Sequence, residues 1–160
     1  MQSESFCFNY SVVCYSDGLT LDELRLRDEA IVAAKGAYAP YSKFSVGAAV
    51  LLNDGTIVVG NNQENGAYPS GLCAERVALF AAHANHPKKR VVLMAVIALQ
   101  DNHITPNPIT PCGGCRQVML ESVNRQKKSF KILLFGRSQT IRLDDVTALL
   151  PLPFKLSNDN

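Results

Sequence analysis

Nine consecutive apolar residues, Val91 to Leu99, constrain this fold more than any other feature of the chain. The run is about half the ~20 residues that a membrane-spanning helix requires. It suits a buried, parallel central strand, because such a strand needs apolar side chains toward both neighbouring layers. The segments around it supply those layers. Thr20-Leu-Asp-Glu23 has the form of a capping box, and Leu21, Leu24, Ala30, Ile31 and Ala34 follow at helical spacing, predicting a helix from Leu21 to Gly36. Val46 to Leu52 and Thr56 to Val59 are β-rich and flank Asn53-Asp54-Gly55, a hairpin signal. Cys73 to Ala84 is helical in composition, and a further helix is expected from Pro111 to Asn124, with proline in its first turn. Phe130 to Phe135 and Thr140 to Leu143 read as strands, and Asp144 to Leu150 as a terminal helix. The order α-β-β-α-β-α-β predicts a three-layer α/β/α domain.

At 160 residues the chain is the size of one domain, 1–160, with residues 1–18 as an extension that carries no readable motif. Hydrophobic content of 47% with 19% charged residues is ordinary for a water-soluble protein. The first residues lack the charged start and continuous apolar stretch of a signal peptide, so a cytoplasmic location is expected, with no membrane partner. A formal charge of +2 is too small for the basic field of a nucleic-acid binder, which points to a small substrate. The clusters Lys88-Lys89-Arg90 and Arg125 with Lys127-Lys128 follow predicted helix ends, where cations offset the dipole.

Five cysteines in such a chain read as reduced thiols rather than a disulfide framework. Cys112 and Cys115, in Pro111-Cys-Gly-Gly-Cys115, lie three apart at a helix start and share one face. Alone, that pair fits a redox couple, half of a structural zinc site or chance. Cys73, also at a helix start, offers a third thiol, with Glu75 two residues on. Partial positive charge at helix N-termini favours ionised thiols. Three ligands leave zinc an open position, as in catalytic rather than structural sites. His83, His86 and His103 have no metal-like spacing that would close it. Cys7 and Cys14 are expected to be small packed hydrophobes.

Together these residues resemble the homotetrameric cytidine deaminase family. The resemblance runs through Ala37-Tyr-Ala-Pro-Tyr-Ser-Lys-Phe44, Val46-Gly-Ala-Ala49, Asn62-Gln-Glu-Asn65, Cys73-Ala-Glu-Arg76, Pro111-Cys-Gly-Gly-Cys-Arg-Gln117 and Leu149-Leu-Pro151. It implies a mixed five-stranded sheet between helical layers and one Zn²⁺ per subunit on Cys73, Cys112 and Cys115. It further implies that cytidine and deoxycytidine lose ammonia by hydrolysis at C4, with Glu75 taking a proton from water, protonating N3 and helping ammonia depart. Arg76 matches an arginine that hydrogen-bonds the ligand sulfurs and offsets the net −1 charge of three thiolates on zinc. Asn62 and Glu64 match residues that hold the sugar 3′-hydroxyl, and Phe44 one that packs on the pyrimidine face. The Ala74 N–H and the Thr110 carbonyl match groups that read the base edge. Tyr68 and Phe154 match positions that reach a neighbouring subunit's site, so a homotetramer with shared sites is implied. Gly66, where the family commonly has alanine, and Lys155, where it often has glycine, depart from the pattern. A polynucleotide-editing deaminase uses the same metal chemistry, but it needs a basic groove, and the acidic Glu64 would repel a 3′-phosphate. A deaminase of a cytosine-containing antibiotic shares these motifs as well.

Overall fold

The apolar run becomes β4 (Val91–Gln100), a central strand covered on both faces. In the computed structural model, which describes residues 3, 5–14 and 17–154, it lies between β2 (Phe44–Leu52), antiparallel to it, and β6 (Lys131–Phe135), parallel to it. Alternation along the strand explains the unbroken hydrophobicity. Met94 and Val96 join one core, with Ile132 and Leu134 of β6, while Leu93, Ala95, Ile97 and Leu99 join the other, with Leu133 and Phe135. The first core is closed by α2 (Ala74–Asn85) and α3 (Gly113–Gln126), the second by α1 (Leu21–Lys35). The three-layer α/β/α architecture is therefore the expected one.

Among the described residues the sheet has seven strands rather than five. Its order is β1 (Ser11–Cys14), β7 (Gln139–Leu143), β6, β4, β2, β3 (Ile57–Asn61), with the two-residue β5 (His103–Ile104) folding back on β4. Both additions have local causes. Asp101 and Asn102 each take a left-handed φ, 51° and 62°, the tight turn that short polar residues tolerate, and this creates β5. The amino-terminal extension pairs antiparallel with β7 and supplies β1 at the edge. Cys14, at the end of this edge strand, and Cys7, ahead of it, are exposed rather than packed.

Several boundaries move for physical reasons. Thr20 caps α1 in a complete capping box, but Leu21 is 85% exposed; the buried side of the helix is Glu23, Leu26, Ala30, Ala33 and Ala34. Pro111 precedes α3 instead of opening it, because Cys112 is the extended N-cap. The same helix runs on to Gln126 and stops at Lys127, whose φ is 54°. The terminal helix shrinks to a 3-10 turn, Val146–Leu149, ahead of Pro151, which disfavours helical backbone at Leu150. Gly60 of β3 sets the height of α2: a Cβ there would lie 2.4 Å from the Ala78 backbone nitrogen. Among the described residues, no helix is long and apolar enough to cross a membrane.

Glu23 does more than complete the capping box. Its Oε2 accepts from the Thr20 N–H (2.8 Å) and from Arg142 Nη2 (2.7 Å), and its Oε1 from Lys131 Nζ (3.4 Å), so one buried carboxylate ties α1 to β6 and β7. Burial by itself raises the carboxyl's pKa. The Thr20 N–H, Arg142 and Lys131 outweigh it, and the group titrates below its usual 4.5. A depressed native pKa gives stability that is present above the unfolded value and lost as pH falls through the native one. Glu23→Gln should thus cost about 1–3 kcal/mol at pH 7, toward the lower end because Lys131 and Arg142 keep some contact with solvent. In urea titrations the gap between wild type and variant should narrow as pH drops below 4.5; a gap independent of pH would contradict the ion-pair account.

Candidate metal centre and substrate cavity

Two helix N-termini converge at the centre of the site. Cys73 is the N-cap of α2 and Cys112 that of α3, both extended and neither using its side chain as a cap, so their thiols are free to face a common point. Cys115, one turn into α3, is buried beneath them. The three sulfurs all lie within 4.8 Å of one another, with Cys73 to Cys112 at 3.8 Å and Cys112 to Cys115 at 3.4 Å. Sulfurs sharing a tetrahedral zinc with bonds of about 2.3 Å stand ~3.8 Å apart, so the cluster is sized for that ion. It is the one group of three or more potential ligands found among the described residues. His83, a candidate for a fourth, instead places Nε2 3.0 Å from Ser122 Oγ, between α2 and α3.

The electrostatics suit a thiolate centre. A hydrogen bond from the Cys115 thiol, with Arg76 adding its charge, brings Cys73 down to about 5, while the same sharing pushes Cys115 up. Arg76 Nη2 lies 3.8 Å from Cys73 Sγ and donates to the Gly71 carbonyl at 3.2 Å. Its Nε is buried with no hydrogen-bond partner among the described residues. Glu75, 4% exposed, is held above the usual carboxylate range, first by burial and then by the neighbouring Cys73 charge.

An open cavity of about 590 Å³ leads to this centre. Of the residues expected at the site, Phe44, Asn62, Glu64, Tyr68, Cys73, Glu75, Arg76, Thr110 and Cys112 line it. Ala74 is fully buried at the first position of α2, between two lining residues. Tyr68, expected to serve a neighbouring subunit, stands at its own chain's cavity, its ring edge-on to Tyr41 at 6.2 Å. Phe154 is not brought to the cavity: its ring is exposed and its carbonyl accepts from Gln117 Nε2 at 3.1 Å. Lys155 lies outside the described residues.

Asn62 and Glu64 also have structural duties that their sequence does not reveal. Asn62 Oδ1 accepts from the Val46 N–H (2.7 Å) and Nδ2 donates to the Phe44 carbonyl (2.9 Å), splinting the start of β2; one N–H and one lone pair remain. Glu64 Oε2 accepts from the N–H groups of Tyr41 (2.9 Å) and Ser42 (3.3 Å). The Ser42 hydroxyl, together with those N–H groups, keeps this carboxyl below its normal pKa and hence ionised. Val46, Leu72 and Ile109 supply apolar wall that was not foreseen. Val46 sits within a recognisable motif, whereas Ile109 is marked only by adjoining Thr110. Among the described residues Arg76 is the one Lys or Arg of the lining, and Lys88, Lys89, Arg90 and Arg125 lie instead around a separate surface cleft beside His83.

Comparison with known proteins decides the family. Residues 22–130 match the cytidine and deoxycytidylate deaminase zinc-binding region. The chain belongs to this family. A cytidine deaminase of Halalkalibacterium halodurans is 43% identical over 140 residues, covering 88% of this chain and 99% of the relative. One from Sporosarcina psychrophila is 42% identical over 134 residues, covering 84% and 92%. The crystal structure of cytidine deaminase from Burkholderia pseudomallei superposes with a TM-score of 0.69 at 37% identity, covering 85% of this chain and all of that one. That from Mycobacterium tuberculosis gives 0.65 at 36%, covering 86% and 100%. As a family member the chain uses Zn²⁺ as its cofactor, and the thiol cluster fits that ion.

Proposed function

We propose that this family member hydrolyses cytidine and 2′-deoxycytidine to uridine and 2′-deoxyuridine, releasing ammonia, in nucleoside salvage in the cytoplasm. The observation that carries the reading is the juxtaposition of buried Glu75 with three thiols sized for zinc at the end of an open cavity. Zinc, held by Cys73, Cys112 and Cys115, supplies the Lewis acidity that makes water a nucleophile near neutral pH. Glu75 takes the proton from water as its oxygen bonds to C4, and passes it to N3. A second proton, from the added hydroxyl, moves through Glu75 to the exocyclic amine; the C4–N bond then breaks and ammonia leaves as the C4 carbonyl forms. Arg76 withdraws electron density from Cys73. Phe44 packs on the ring, and the Ala74 N–H and Thr110 carbonyl read its edge.

The remaining hydrogen-bonding capacity of Asn62 and Glu64 holds the 3′-hydroxyl, which both sugars present. The 160 residues act as one deaminase domain with an amino-terminal extension, and four chains form a homotetramer in which Phe154 reaches a neighbour's site. Comparing cytidine, 2′-deoxycytidine, 3′-deoxycytidine and 3′-CMP tests the substrate reading. The first two should turn over, and the last two should lose about tenfold or more in kcat/KM, one through a missing hydrogen bond and the other through repulsion by Glu64. Glu64→Gln should raise the KM for cytidine by a similar factor while leaving 3′-deoxycytidine unaffected. Equal turnover of all four by wild type would sink the assignment.

A further inference from the structure

The segment from Pro106 to Pro111, which ends beside Cys112 and carries Thr110 into the cavity wall, contains three prolines and so lacks three backbone N–H groups. Side chains grip it by its carbonyls instead. Ser138 Oγ donates to Pro106 (3.1 Å), Thr105 Oγ1 to Asn107 (2.9 Å), and Arg116 Nε to Pro111 (2.7 Å). The segment also lies on Gly136, where a Cβ would stand 2.5 Å from the Pro108 nitrogen. Arg116 differs from the other two donors, because it belongs to α3 itself, next to Cys115, and its Nη1 also donates to the Leu149 carbonyl at 3.0 Å. One planar guanidinium thus joins the ligand-bearing helix, the peptide next to Thr110, and the carboxy-terminal 3-10 turn. Gln117, adjacent, holds the tail at the Phe154 carbonyl.

We propose that Arg116 is a positioning residue: it fixes the Thr110–Cys112 wall against α3 and the carboxy-terminal segment, setting how tightly the base edge is bound and how slowly zinc leaves Cys112. The first effect rests on the cavity being a nucleoside site; the second does not. A donor fork spanning two carbonyls in fixed geometry is a task for arginine, and lysine, with one flexible ammonium, serves it poorly.

The test uses the 160-residue, zinc-loaded chain as wild type, Arg116→Met and Arg116→Lys, with KM and kcat for cytidine, zinc release to a colorimetric chelator, and melting temperature. Arg116→Met is expected to raise KM about tenfold and to speed zinc release about tenfold, with kcat at saturation within about threefold of wild type, and Arg116→Lys to fall between. A lowered melting temperature with wild-type KM and zinc release would assign Arg116 a purely structural role and overturn the proposal. Full restoration of both by lysine would also overturn it. If Arg116→Met does not fold, Arg116→Lys decides: a change of about threefold or more in both quantities supports the proposal, and wild-type values refute it. Should zinc-loaded wild type leave cytidine and deoxycytidine unchanged, the nucleoside reading fails, and zinc release alone judges Arg116.

Discussion

Glutamine in place of Glu75 should yield a folded, zinc-containing protein whose kcat for cytidine is lower by about 10²–10⁴-fold. The loss belongs toward the upper end if, as proposed, the same carboxyl serves as base and then as acid in one turnover. Glutamine is nearly isosteric and keeps hydrogen bonds, so KM and fold should change little. A neutral amide places no charge in this buried position, and the variant should be no less stable than wild type. Steady-state kinetics with zinc measured in the same sample checks this. Retention of more than about a tenth of wild-type kcat would remove Glu75 from the proton path.

The second large effect concerns the thiols. Cys112→Ser leaves a weaker ligand in a site where two sulfurs remain, and activity should fall to background as zinc is lost. Cys115→Ala should do the same and also cost stability, since Cys115 is fully buried between α3 and the sheet. Removing the metal from wild type with a chelator should abolish turnover, and added Zn²⁺ should restore it. The apoprotein should melt at a lower temperature, because the ion links α2 to α3. Atomic emission and thermal melts on the same samples provide the check; a Cys112→Ser protein with full zinc and activity would place the metal elsewhere.

How far the sequence could be read depended on whether the signal was local. The capping box at Thr20, the Asp-Gly hairpin turn and the doubly buried Val91–Leu99 run are each set by neighbours within a few residues, and all appear where they are expected. The clustering of the three thiols, with Glu75 beside them at the cavity, was legible because metal chemistry demands particular residue types at helix starts. Features that depend on distant partners were not. Nothing near Glu23 announces that Arg142 and Lys131 converge on it across more than a hundred residues of chain. Asn62 reads as a polar loop residue, yet its amide splints β2 through Val46 and Phe44, sixteen and eighteen positions away. Cys7 and Cys14 depart from the general tendency of cysteine to be buried: Cys14 ends the edge strand β1, Cys7 precedes it, and both are exposed. The five-strand count missed β1 for the same reason: pairing with β7 is a non-local event that a motif-free extension does not advertise.

The measurement that bears most directly on the account is the fall in ultraviolet absorbance of cytidine on incubation with the purified, zinc-quantified chain. Conversion to uridine with one ammonia released per cytidine is expected, in proportion to zinc content up to one ion per chain. A protein carrying one zinc per chain that leaves both cytidine and deoxycytidine unchanged would contradict it.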